Sequence, residues 1–125
     1  MPKTNPGRFF EDYTLGETIV HAVPRTLSGG ERALYQALYP LRHTMSSSDA
    51  FARSCGLSAA PLDPLIVFHT VFGKTVPDIS LNAVANLGYA EGRFLRPLWP
   101  GEALSAESEV IGLRLYTSCG GRAQG

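Results

Sequence analysis

The sequence predicts an α+β fold, and three observations carry that expectation. β-Branched residues gather at Thr18, Ile19, Val20 and Val23, as in a strand. From Leu65 onward a helical stretch is apolar on most of its sides. Near the C-terminus Leu104, Ala106, Ser108 and Val110 alternate with Ser105, Glu107, Glu109 and Ile111, the period-two pattern of a strand with one wet face. Strands and helices interleave, so an all-helical or all-strand chain is excluded.

Each element has its own local reason. Pro2, Asn5, Pro6 and Gly7 mark residues 1–8 as an extended or unstructured lead-in before Phe9 and Phe10. The Leu15-Gly16 turn leads into a strand over Thr18 to Arg25. Ser28 and Glu31 have capping-box spacing, and Ala33, Leu34, Ala37 and Leu38 give the helix that follows one apolar face until Pro40 stops it. A short helix over Ala50 to Ser54 can be capped by Ser46, Ser47, Ser48 or Asp49 and ends at Gly56. Pro64 opens a helix at about 64–76, with Leu65, Phe68, Val71, Phe72 and Thr75 on one stripe. Ile66 and Val67 widen that stripe, which predicts a helix surrounded by protein until Pro77-Asp78 ends it. Ala83 to Phe94 then reads as extended, with bends at Gly88 and Gly92, and a turn at Pro97 to Gly101 precedes the last strand. Residues 115–125 abandon the alternation. Three strands leave apolar surface and an unprotected edge beside so apolar a helix.

Composition bounds the function. At 125 residues the chain has the size of one small domain or half of a larger enzyme, with one core. Its 44% hydrophobic and 18% charged content is ordinary for a globular domain, and 11 Lys and Arg against 11 Asp and Glu leave no basic footprint for nucleic acid. No apolar run reaches the roughly 20 residues of a bilayer span, and Met1 to Asp12 lacks the charged-then-apolar order of a secretory leader. Cys55 and Cys119 stand without a paired motif, as free thiols of a reducing compartment, so a cytoplasmic protein is expected, with neither membrane nor nucleic acid as partner.

The residue types that carry chemistry are sparse. No dinucleotide, P-loop, zinc or nucleophile-elbow spacing occurs, and no metal site is expected. His21 sits in the first strand, where alternation decides its face; without a fixed partner it reads as structural. His69 lies mid-helix among Phe68, Val71 and Phe72, where a hydrogen-bonded core histidine is favoured over a proton-transfer group. His43 and Asp49 are close enough in sequence for an acid/base pair, although Asp49 equally suits a helix start. His43, Asp49 and His69 are thus the catalytic candidates. Arg93 and Arg96, with Lys74, are the candidates for meeting ligand phosphates; a solvated sheet edge explains the arginines as well. Cys55 reads as a small hydrophobe.

Several phrases go beyond pattern. Gly7-Arg-Phe-Phe-Glu-Asp-Tyr-Thr-Leu-Gly16 resembles the opening of MaoC-like dehydratases. Ser47-Ser-Asp-Ala-Phe-Ala-Arg53 and the run from Val67 to Pro97 resemble the mesaconyl-CoA hydratase branch of that family. The resemblance spans roughly Gly7 to Arg114. It implies a hot-dog fold, an antiparallel sheet wrapped around the helix at about 64–76. It also implies reversible addition of water across the α,β-double bond of an enoyl-CoA thioester, here mesaconyl-CoA and β-methylmalyl-CoA, without a further cofactor. Such chemistry needs an Asp/His pair acting on water and N–H donors for the thioester oxygen.

The chain departs from the family at both requirements. The family's Asp-x-Asn-Pro-x-His motif precedes the short helix, and counting back from Ala52 places Ser46 near the histidine position and Leu41 near the aspartate position. A glycine N–H at the start of the hot-dog helix serves many members as oxyanion donor; here Asp63-Pro64 stands there, and proline has no N–H. The expectation is therefore an incomplete hot-dog: a lead-in over 1–15, a partial N-terminal domain over 16–114, and an atypical tail over 115–125. Nine arginines to two lysines point to a GC-rich gene, in which a shifted reading frame after Arg114 is the leading account of that tail. Alone the chain is expected to be inactive, its partners an acyl-CoA and either a missing C-terminal hot-dog half or a second copy. The alternative is a non-catalytic acyl-CoA-binding or interaction module. A thioesterase would need a carboxylate at the central helix, for which Asp63 is the one nearby candidate.

Overall fold

A computed structural model describes residues 7–22, 24–39 and 43–115. They form two compact units, residues 7–22, 74–88 and 106–115 in one and 24–39, 43–73 and 89–105 in the other. Helices combine with two short antiparallel strand pairs, the predicted α+β class. Among the described residues no helix is long and apolar enough to cross a membrane.

In the first unit β1 (Thr18–Val20) pairs with β4 (Glu107–Glu109), Ile19 opposite Ser108. Directly opposed residues share a face, and period two carries that face to His21. Ile19, His21 and Ala106 are accordingly buried while Val20 is exposed. The backbone pairing extends past the strands, with His21 N–H donating to Ala106 O at 2.9 Å and Val110 N–H to Glu17 O at 3.0 Å. Residues expected to be a loose lead-in take part: Phe10–Asp12 forms one 3-10 turn, Arg8 pairs with Glu17 at 3.1 Å, and Tyr13 Oη donates to Ile79 O at 2.5 Å. Residues 1–6 lie outside the described set.

In the second unit β2 (Arg25–Thr26) pairs with β3 (Ala103–Leu104). The strand expected over Thr18 to Arg25 is thus two short strands. Pro24, which has no N–H for a ladder, stands just before β2 and accounts for the interruption. The last strand is likewise divided into β3 and β4. α1 (Gly29–Leu38) begins as its spacing predicts: Ser28 Oγ accepts the Glu31 N–H, and Glu31 Oε2 accepts the Ser28 N–H at 2.8 Å. Pro40 and Leu41 lie outside the described residues. α2 (Thr44–Ser47) and α3 (Asp49–Ser54) follow. Ser48 is the residue that caps α3, and Gly56 takes the left-handed φ of +88° just beyond its end.

α4 (Pro64–Thr75) is the predicted central helix. With Leu27 and Leu62, its Ile66 forms the buried core, and Tyr35, Val67, Leu98 and Leu104 pack against that cluster. Trp99 Nε1–H donates to Ala59 O, and Leu62 N–H to Leu98 O. Two expectations fail here. The helix is not covered on all sides, since Leu65 and His69 are exposed and only Ile66 and Thr70 are buried. Nor does Pro77 end the helical path: Val76–Ser80 widens into a π turn. A wider turn accommodates a residue that cannot donate an i→i−4 bond.

The extended region 83–94 forms no strand among the described residues. Asn86 Oδ1 caps the Gly88 N–H, and Gly88 and Glu91 both have positive φ, so the chain turns where a ladder would need it straight. Val84, Leu87 and Leu95 stand out in solvent. β-Propensity expresses fit to a neighbouring strand, and within the described chain these residues have none.

Candidate functional site

Among the described residues two features gather chemistry-bearing groups, one in each unit. In the second unit α1 and α4 flank an open groove of about 360 Å³. Glu31, Leu34, Tyr35 and Leu38 line it from α1, Ile66, His69 and Thr70 from α4, and Arg25 from β2. Thr70 Oγ1 turns back to donate to Ile66 O at 2.9 Å. Glu31 is held by the Ser28 cap and by an ion pair with Arg25. The Ser28 N–H, with Arg25 behind it, keeps the Glu31 carboxyl below the ordinary carboxylate range. Burial pushes the Tyr35 hydroxyl up, and the nearby Asp63 carboxylate adds to it. Glu31 and His69 thus share one groove, but the carboxylate is committed to its cap and its arginine.

In the first unit His21 is 3% exposed, its side chain fully covered. Nδ1 lies 2.8 Å from Asp78 Oδ2 and Nε2 lies 2.8 Å from Ser108 Oγ. Carboxylate, imidazole and hydroxyl stand in the order of a nucleophilic triad. Ser108 belongs, however, to the middle of a paired strand, on the face that also buries Ile19 and Ala106. The arrangement satisfies every polar atom of a buried ring and ties β1 to β4 and to the π turn.

The sequence-derived candidates are dispersed. His43 is exposed ahead of α2, where its carbonyl accepts the Ser46 N–H and the Ser47 hydroxyl. Asp49 accepts the Ala60 N–H at 2.9 Å and faces Arg32 at 3.5 Å, so it works as a local brace and makes no hydrogen bond to His43. His69, expected in a buried setting, is exposed beside the groove. Arg96 pairs with Glu102 at 2.8 Å, Lys74 Nζ donates to Ala22 O at 3.1 Å, and Arg93 is exposed. Cys55 is exposed, against the expectation of a small buried hydrophobe; Cys119 lies outside the described residues. Ser46, expected near the family's histidine position, is buried on α2, and its carbonyl accepts the Gln36 side chain. Asp63 is buried at the start of α4, where its side chain takes the Leu65 N–H at 2.8 Å and its carbonyl takes the Ile66 N–H. Pro64 has no N–H, and the Leu65 and Ile66 donors of α4 are both taken by Asp63. Among the described residues no cluster of His, Cys, Asp and Glu could hold a metal ion. Arg25 in the groove and the partners of His21 went unseen in sequence; period two from the buried Ile19 is the signal that could have placed His21 inside.

Four carboxylates, Glu17, Glu31, Asp49 and Glu102, are held low, each chiefly by a backbone N–H and secondarily by an arginine. A folded pKa below the unfolded value contributes stability above the unfolded pKa and loses it as pH falls through the folded one. The denaturation midpoint should therefore stay level from neutral pH down to about 5 and fall steadily below about 4.5. Glu31→Gln, which keeps the capping acceptor, should flatten part of that fall.

A family model described as mesaconyl-CoA hydratase matches residues 2–122. Over 112 residues the chain is 78% identical to a mesaconyl-CoA hydratase from Cereibacter sphaeroides and 64% identical to a β-methylmalyl-CoA dehydratase from Chloroflexus aurantiacus. Each match takes in 90% of this chain but only 33% and 32% of those relatives, so the chain spans about a third of their length. A crystal structure described as a MaoC domain protein dehydratase, from Chloroflexus aurantiacus J-10-fl, superposes with a TM-score of 0.87 at 62% identity, over 93% of this chain and 33% of that one. A monoamine oxidase regulatory protein from Archaeoglobus fulgius superposes with a TM-score of 0.71 at 22% identity over 85% of this chain and 72% of that one, which speaks for the fold alone. Short antiparallel pairs, a long central helix and these superpositions together make an incomplete hot-dog fold. With the family model matching nearly from end to end, the chain belongs to the mesaconyl-CoA hydratase family.

Proposed function

We propose that this chain is the N-terminal part of an enoyl-CoA hydratase that interconverts mesaconyl-CoA and β-methylmalyl-CoA, and that it is inactive by itself. The 78% identity to a mesaconyl-CoA hydratase across a third of that protein carries the reading. The local chemistry supports it. Hydration needs a water-activating imidazole and carboxylate together with free N–H donors for the enolate oxygen. Here the groove's carboxylate is occupied, and the α4 start is closed by Pro64 and by the capping of Leu65 and Ile66. The segment over 16–114 would shape the acyl pocket, and the water-activating pair would come from the remainder of a relative-length protein or from a second copy. The CoA thioester is itself the activated substrate, so no further cofactor is required, and a cytoplasmic setting follows from such a substrate.

The decisive experiment places this segment in the Cereibacter relative, replacing the 112 matching residues, and follows loss of enoyl-thioester absorbance. The chimera should hydrate mesaconyl-CoA at a rate near that of the parent; the isolated chain should not. Turnover by the isolated chain near the parental rate would refute the partial-enzyme reading. A second reading, a non-catalytic acyl-CoA-binding module, draws on the groove between α1 and α4. Activity of the chimera separates the two, because such a module binds thioesters in calorimetry while its chimera stays inert.

A further inference from the structure

Resting on the hydratase reading, we infer that Arg25 is the residue that recognises the free carboxylate of a dicarboxylic acyl group, and so selects the substrate class. The mesaconyl and β-methylmalyl groups are methyl-branched four-carbon diacids, one carboxyl held in the thioester and the other free and ionised. Simple enoyl groups such as crotonyl end in a methyl. An enzyme for the former must offer apolar contact to the carbon chain and one cation to its far end.

The groove has that division. Leu34, Leu38 and Ile66 provide the apolar wall, and among the described residues lining it Arg25 is the one lysine or arginine. Its position is prepared from both sides. The backbone of Arg25 is fixed in β2 opposite Leu104, and its guanidinium is held by Glu31 from the first turn of α1. The Arg25 side chain is 57% exposed and Glu31 occupies only part of its fork of five N–H donors, which leaves donors for a second carboxylate. Glu31 orients the arginine but also competes with an anionic ligand for it. The two residues should therefore affect binding in opposite directions.

That opposition is the test. The 125-residue chain and its Arg25→Gln and Glu31→Gln variants are titrated calorimetrically with mesaconyl-CoA, crotonyl-CoA and free mesaconate. The chimera carrying each variant is assayed for kcat/KM on the two thioesters. The preference for mesaconyl-CoA over crotonyl-CoA should fall at least about tenfold in Arg25→Gln, the scale of a lost charge-assisted hydrogen bond, and rise severalfold in Glu31→Gln. Crotonyl-CoA itself should change less than about twofold. Arg25-dependent binding of mesaconate without CoA would support the same site. A preference unmoved by Arg25→Gln in a chimera that still hydrates mesaconyl-CoA overturns the inference and leaves the hydratase reading intact. If the folded chimera hydrates neither thioester, the hydratase reading fails, and the titrations alone decide: equal binding of both thioesters by the unsubstituted chain overturns the role of Arg25.

Discussion

Replacing His21 with alanine should destabilise the chain by about 3 kcal/mol, read as a drop in the urea midpoint at pH 7 with unchanged slope. The substitution removes a fully covered ring, opening a cavity between β1 and β4. It also takes one partner from Asp78 and one from Ser108, both at 2.8 Å. The Asp78 side chain is 22% exposed, so water recovers part of that loss, which keeps the figure below the cost of a fully buried broken pair. Ser108→Ala should cost only about 1 kcal/mol, because the imidazole keeps its carboxylate. The contrast also bears on the triad-like order of these groups. A fluorophosphonate probe should leave Ser108 unmodified, and stoichiometric labelling there would show that its hydroxyl is a nucleophile instead of a brace.

What could be read in the sequence divides along the range of the interactions. The Ser28–Glu31 box and the glycine after α3 are local devices, each complete within one or two turns, and both stand where the spacing places them. α4 begins at Pro64 for the same reason. Recognition of the family rested on long contiguous phrases and needed no geometry. The tie of His21 was not legible, since Asp78 and Ser108 lie 57 and 87 residues away. Arg25 escaped notice because its importance comes from α1 and α4 meeting beside it, not from its neighbours in sequence. The apolar breadth of α4 is legible as composition but its burial is not: Leu65 and His69 are exposed because the described chain leaves that arc of the helix uncovered. The run 83–94 failed similarly, its strand-like residues having no ladder to join.

Leu27→Ala is expected to exceed the His21 effect, at about 4 kcal/mol, whereas Leu95→Ala should stay within about 0.5 kcal/mol in the same chain. Leu27 is 0% exposed in the cluster with Leu62 and Ile66; Leu95 is 92% exposed. The backbone around Leu27 leaves little room for collapse, since its N–H donates to Glu102 O at 2.9 Å and its carbonyl accepts the Gly101 N–H at 2.8 Å. A pinned backbone keeps the cavity open, and an open cavity sets the upper part of the leucine-to-alanine range. Repeating the pair in the chimera turns a stability measurement into a map of the longer protein. Leu27→Ala should cost the same there, because its packing lies wholly within this segment. Leu95→Ala should become costly only if the remaining two-thirds cover the exposed run, for the price of deleting an apolar side chain depends on what surrounds it. An unchanged value near zero would place the covering surface elsewhere.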